Sequence, residues 1–144
     1  MAYSGIFRPS NPQKYVGDHT NIIYRSSWEA RCMDWFDKNP NIISWASEEV
    51  IVPYVSPVDG KWHRYFPDFL VKMKGKDGKT KTMMIEVKPK RQAQPPKPMK
   101  RVTKRYITEV ATYGVNQAKW KAAEEYCKDR TWEFRVITED DLGL

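Results

Sequence analysis

The feature that most restricts the fold is the run WHRYFPDFLVKMK, followed at once by the turn Lys76-Asp77-Gly78-Lys79 and a second run, TKTMMIEVK. Both runs are rich in β-branched, aromatic and long apolar side chains, and an Asp-Gly turn of this length joins strands that lie antiparallel. A third run, IISWASEEVIVPYV, precedes them, and Pro53, Pro57 and Asp59-Gly60 supply the turn between. Three strands on short turns predict an antiparallel meander. Before the strands, YRSSWEARCMDWFDKNP repeats Trp28, Cys32, Trp35 and Phe36 at helical spacing and ends at Asn39-Pro40, which predicts an amphipathic helix with those residues inward. After about residue 103 a second helical pattern presents Tyr106, Val110, Tyr113, Trp120, Ala123 and Cys127. Gly114-Val115-Asn116 is a candidate break in it. TWEFRVIT alternates and reads as a last strand. The expected order is therefore αβββαβ in one α/β domain covering 1–144, with an irregular arm at about 1–24 and a Pro-rich basic loop at about 88–101.

Charge narrows the partner. Residues 72–105 contain 13 of the 25 Lys and Arg but only Asp77 and Glu86 as acids, a local balance of +11, whereas the other 110 residues carry 12 basic and 16 acidic groups, −4. A concentrated positive field implies an anionic partner, and nucleic acid suits it best because Lys and Arg release counterions condensed on phosphates. Pro89, Pro95, Pro96 and Pro98 break any amphipathic membrane helix there. No apolar run of about 18 residues is present for a bilayer span. The candidate phosphate contacts are Lys90, Arg91 and Lys97 in the loop, with Lys104, Arg105, Lys119 and Lys121 as a second track. Cys32, Cys127, His19 and His63 lack zinc-site spacing, and their wide separation argues against a disulfide scaffold.

The chemistry concentrates at Met83-Met84-Ile85-Glu86-Val87-Lys88. Successive strand side chains alternate faces, so Glu86 and Lys88 share one face while Ile85 and Val87 take the other. If the neighbouring run pairs with this one, Asp68 becomes a cross-strand neighbour of Glu86. Two adjacent carboxylates repel unless a cation sits between them. Carboxylates plus a backbone carbonyl, here that of Val87, form the oxygen set that Mg²⁺ accepts, with Mn²⁺ as a substitute. Pro67-Asp68 followed by Glu86-Val87-Lys88 is the PD-(D/E)xK pattern of a nuclease superfamily. Phosphodiester hydrolysis needs a metal to polarise the phosphoryl group and acidify water, and Lys88 can position or deprotonate that water or stabilise charge on the phosphate. The competing reading of Glu86 and Lys88 is a solvated surface ion pair.

In that superfamily an acid from the first helix often completes the metal site, which points to Glu29. The same residue also satisfies an S-x-x-E capping box at Ser26-Ser27-Trp28-Glu29, and both readings stand on sequence. Trp28, Trp35 and Trp120 read as core residues rather than base-stacking platforms, and His63 as an exposed strand residue. More specifically, MAYSG at the start, YRSSWE at 24–29, RYFPDF at 64–69, IEVKPK at 85–90 with QPP after it, VNQAKWKAA at 115–123 and FRVITED resemble, in the same order, the head completion nucleases of T4-like bacteriophages. The resemblance spans nearly the whole chain. It implies a restriction-endonuclease-like core with a mixed sheet, related to the endonuclease subunit of certain transposases. It further implies cleavage of packaged DNA ends before neck attachment, in the host cytoplasm or the virion, with duplex DNA and head portal or neck proteins as partners. Carried over by residue, Glu29, Asp68 and Glu86 are the motif acids and Lys88 the motif lysine, while Gln117 in VNQAKW receives no role. A catalytically silent DNA-binding or structural head-completion protein is the alternative.

Overall fold

The computed structural model describes residues 2–143. Eight strands and three helices follow one another as β1 (Ala2–Phe7), β2 (Ile22–Ser26), α1 (Ser27–Lys38), β3 (Ile42–Ser47), β4 (Val52–Val55), β5 (Trp62–Tyr65), β6 (Phe69–Lys74), β7 (Thr80–Val87), α2 (Lys90–Ala93), α3 (Lys104–Asp129) and β8 (Glu133–Ile137), with a short 3-10 turn at Pro12–Lys14. The central sheet has the order β3-β6-β7-β8. Its first three strands are antiparallel, and β8 joins β7 in parallel. The sheet is therefore mixed, because the long α3 crossover returns the chain in the same direction as β7.

Alternation along the strands divides the interior into two cores. Phe69, Val71, Met83 and Ile85 face α1, where they meet Cys32, Met33, Phe36 and Trp45. Met84 faces the other way, with Tyr54, Tyr65, Trp120, Ala123 and Cys127 under α3. Cys32 and Cys127 thus sit in different cores. The helices start where their caps dictate: Ser26 accepts from the Glu29 amide and Thr103 from the Tyr106 amide, each satisfying an amide that has no partner within its helix.

The structure corrects several expectations. The irregular arm expected at about 1–24 is, over the described residues 2–24, a built part of the fold: β1 pairs antiparallel with β2, Ile22 is buried, and Tyr15 packs edge-on against Trp45 at 4.7 Å. The Pro- and Asn-rich stretch hides this because its polar groups act as specific donors, with Lys14 Nζ capping the carbonyls of Phe36, Asp37 and Asn39 at 2.6 to 2.9 Å. The expected three strands are five, since the first run divides into β3 and β4 and the second into β5 and β6. β4 and β5 form a separate two-stranded ribbon, so the meander is a long hairpin broken midway. Trp35 points outward, 52% exposed, and Val110 is 45% exposed. Helical spacing alone does not tell which residues at the margin of an apolar stripe turn inward.

Nor does Gly114 break α3. A mid-helix glycine costs only about 1 kcal/mol, less than the burial of Trp120 farther along the helix contributes. Within the expected loop at 88–101, residues Lys90–Ala93 form one helical turn.

Candidate active site

Proline has no amide hydrogen for a sheet ladder, and Pro67 lies where the second strand run is interrupted between β5 and β6. On the facing run the interruption falls after β3, where Glu48 takes a left-handed conformation, φ 55°, uncommon for a residue with a side chain. One backbone bond bridges the break, from Glu48 N to Asp68 O at 3.1 Å. Asp68 is thereby held just outside the ladder. The β6–β7 register, Phe69 opposite Ile85, continues to place Asp68 opposite Glu86, and Asp68 Oδ2 accepts from the Val87 amide at 2.7 Å.

Glu86 is 6% exposed, and its Oε1 is buried without a hydrogen-bond partner. Its closest cation is Lys88, whose Nζ is 3.8 Å from Oε2. That ion pair is not the solvated contact that bare strand spacing allowed, because the carboxylate is buried. Behind Glu86 stand Tyr65 and Trp120, each with a buried polar atom that also lacks a hydrogen bond. Lys119 reaches over from α3, its Nζ 5.6 Å from the Tyr65 ring centre and 5.9 Å from that of Tyr54.

The electrostatics follow from this crowding. Burial and then the Glu86 charge hold the Asp68 carboxyl well above its usual range, against the Val87 amide and Lys88. Glu86 is likewise raised by burial, offset by Lys88, then by the polar groups of Asp68 and Tyr65, and more weakly by Lys119. Glu29 is pushed up to about 7, first by burial and next by the charges of Asp68 and Glu48. Burial and Glu86 together also raise the Tyr65 phenol. Three acids share a region in which each resists ionising.

Among the described residues no three His, Cys, Asp or Glu side chains are already gathered at metal-binding spacing. The closest set is the Asp68 and Glu86 pair, with the Val87 carbonyl next in the strand and Glu29 facing Asp68. Only oxygen donors are offered, one has no hydrogen bond, and the nearest cation, Lys88, stands 3.8 Å off. These properties fit a hard divalent cation.

Glu29 takes part in both arrangements the sequence allows. Ser26 Oγ accepts from its amide at 3.1 Å, as a capping box requires, while its carboxylate accepts at longer range from the Ser26 hydroxyl at 3.4 Å and the Arg25 amide at 3.5 Å. The reciprocal half of the box is long, and the carboxylate is near enough to Asp68 to feel its charge. Of the basic candidates, Lys119 joins Lys88 at the site. Lys121 lies with Gln117 on another face of α3, against Phe134 and Val136 of β8. Lys90 is held by Asp140 and Glu139, and Arg105 by Glu109. Arg91 and Lys97 line a groove between the Pro-rich loop and α3, and Lys104 is exposed at the start of that helix. His63 is exposed and bonded to Asp59.

Sequence reasoning misses Tyr65, Glu48, Arg25 and Asn116. Arg25 grips Glu48 through two bonds of 2.8 and 3.0 Å, a pairing no local pattern announces. Tyr65 is legible only once the break at Pro67 is known.

Comparison with known proteins gives the family. Residues 39–139 match the family described as TnsA-like endonuclease N terminal. The head completion nuclease of Enterobacteria phage T4 is 45% identical over 146 residues, covering 99% of this chain and 95% of that protein. No solved structure matches. With a mixed α/β sheet whose hairpin breaks at Pro67-Asp68 beside Glu86-Val87-Lys88, the chain belongs to the TnsA-like endonuclease family and is a homologue of the T4 head completion nuclease.

Proposed function

We propose that this chain is a metal-dependent endonuclease that hydrolyses duplex DNA at the end of the packaged genome, while the head is being completed and before a neck is attached. The observation that carries the reading is Glu86: a buried carboxylate with an unpartnered oxygen, set beside a second carboxylate and a lysine. A divalent cation, Mg²⁺ or Mn²⁺, would be held by Asp68, Glu86 and the Val87 carbonyl, with Glu29 completing the set. When bound, it supplies Lewis acidity toward the phosphoryl group and makes water more acidic.

The chain's own residues do the rest. The Val87 amide fixes the orientation of Asp68, and the wall of Tyr65 and Trp120 keeps water from Glu86, which strengthens every charge interaction at the site. Lys88, held near Glu86, places a positive charge where the phosphate becomes more negative. Arg91, Lys97 and Lys104 hold the DNA through its phosphates and read no bases, so position along the genome comes from docking on portal or neck proteins in the host cytoplasm.

A supercoiled plasmid and a linear duplex of unrelated sequence, incubated with Mg²⁺ or with EDTA, test the proposal. Cutting of both in Mg²⁺ at many sites, and of neither in EDTA, is expected. Full cutting in EDTA contradicts the mechanism, and one fixed site of about six base pairs would require base-edge readout. Phage carrying Glu86→Gln should yield DNA-filled heads that do not accept necks. Normal tailed particles would make the completion role structural.

A further inference from the structure

Two cavities meet on the α3 side of the site. One, of about 480 Å³, is lined by Lys88 and Lys119 together with Gln92, Thr108, Thr112 and Asn116. The other, of about 580 Å³, continues from those same polar residues to Arg91, Lys97 and Arg105. The reaction site and the basic loop are thus joined by one cleft, and the residues common to both halves mark its middle.

Asn116 stands there in an unusual state. It is 5% exposed, and its side chain makes no hydrogen bond among the described residues, although it lines both cavities. Among the described residues the amide has no protein partner and opens only into the cleft, where both its donor and its acceptor are free for a ligand. One helical turn on, Lys119 enters the same cleft half-buried, over two tyrosine rings, within range of the Glu86 charge but, among the described residues, with no carboxylate in salt-bridge contact. Residues three apart on a helix lie on one face. An amide that donates and accepts, next to a fixed cation, is the pairing that takes a phosphate and its attached sugar.

Resting on the nuclease reading, we infer that Asn116 and Lys119 form a second phosphate subsite, which grips a phosphate beside the scissile one on the cut strand and passes that strand toward Arg91 and Lys97. Asn116 and Lys119 are positioning residues for the reaction at Asp68, Glu86 and Lys88. The subsite holds the strand so that the scissile phosphate stays next to Lys88, and it gives a ligand to a polar side chain that has no partner among the described residues.

The test is binding in EDTA, followed by fluorescence anisotropy, of duplexes closed at one end by a hairpin and too short to offer a second binding register, with single phosphates replaced one at a time by neutral methylphosphonates. Wild type should lose about tenfold in affinity at one phosphate flanking the cleavage position. Lys119→Gln should bind the unmodified duplex about tenfold more weakly and lose all sensitivity at that phosphate while keeping it at others. Asn116→Asp, which sets a negative charge against the phosphate, should weaken binding by the folded protein at least as much. If Lys119→Gln retains the wild-type profile, or if wild type shows no single sensitive flanking phosphate, the subsite does not exist. Because the readout needs neither metal nor cutting, loss of cleavage would count against the nuclease reading alone.

Discussion

Asp37 and Glu86 are both acidic residues buried in this small protein, 1% and 6% exposed, yet their surroundings are opposite. Asp37 Oδ2 and Oδ1 accept from the amides of Ser10 and Asn11 at 2.9 Å each, and its carbonyl receives Asn11 Nδ2 and Lys14 Nζ. Every oxygen is used, and what they hold is the N-terminal segment against the end of α1. Glu86 has one oxygen without any partner and a lysine no closer than 3.8 Å. Buried charges are normally paired and hydrogen-bonded. The fold completes the first carboxylate and leaves the second with one oxygen that makes no hydrogen bond, the oxygen assigned above to a cation. Burial of a charge marks structure when its partners are internal and function when they are missing.

Exchanging each acid for its neutral isostere separates the two roles most sharply. Glu86→Gln should lower cleavage by about three orders of magnitude, the scale of removing one charge-stabilising group, while its melting temperature in EDTA equals or exceeds that of wild type because an uncomfortable charge is gone. Asp37→Asn should do the reverse. A side-chain amide offers one acceptor to two backbone donors, so stability should fall by about 2 to 4 kcal/mol in denaturant titration, with turnover of the folded fraction retained. Equal destabilisation by both variants would erase the distinction.

Lys88→Met sharpens the functional side. Turnover should drop about 100-fold with a smaller change in DNA affinity, measured separately by single-turnover kinetics and anisotropy. A change in affinity alone would assign Lys88 to phosphate holding. At the basic loop, Arg91→Gln with Lys97→Gln should flatten the dependence of log K on log salt by about 0.9 for each phosphate that is no longer neutralised. Lys90→Gln and Arg105→Gln should flatten it less, since Asp140 and Glu109 already occupy those cations.

The smallest effect expected is a pH dependence. Glu29 is raised to about 7 from 4.5 in the fold, so between those values the native state binds more protons than the unfolded one, and stability falls as pH rises. The stabilising contribution is complete below about 4.5 and lost as pH passes through about 7. Melting curves in EDTA across this range should slope downward for wild type and less steeply for Glu29→Gln, whose Ser26 cap on the residue-29 amide is intact. Identical slopes would remove Glu29 from the acidic group.

Much of this is legible in the sequence, and what is not has a physical reason. The Asp77-Gly78 turn and alternation in TMMIEV suffice to place β6 and β7 antiparallel with Glu86 and Lys88 on one face, because turn and pleat geometry are local. The hairpin break at Pro67 is written in the chain, yet whether a proline ends a strand or rides on its edge depends on the facing run, where Glu48 adopts its left-handed conformation. The pairing of β1 with β2 and the latch at Asp37 join segments with no shared periodic pattern, so no short window reveals them. Asn116 reads as a helix breaker beside Gly114 and is instead the polar member of a cleft wall, visible only once two cavities are traced to one side chain.

The central claim is that Asp68 and Glu86 form an incomplete site that a divalent cation completes, and melting temperature with and without metal tests it most directly. At a pH of about 7.5, above the raised value of Glu29 and within the range where folded proteins are ordinarily most stable, Mg²⁺ or Mn²⁺ added to the metal-free protein should raise the melting temperature of wild type, since a ligand that binds only the folded state stabilises it by mass action. The same addition should leave Glu86→Gln unmoved. No shift in wild type, or the same shift in both proteins, would show that Glu86 and Asp68 do not await a cation, and would contradict the account.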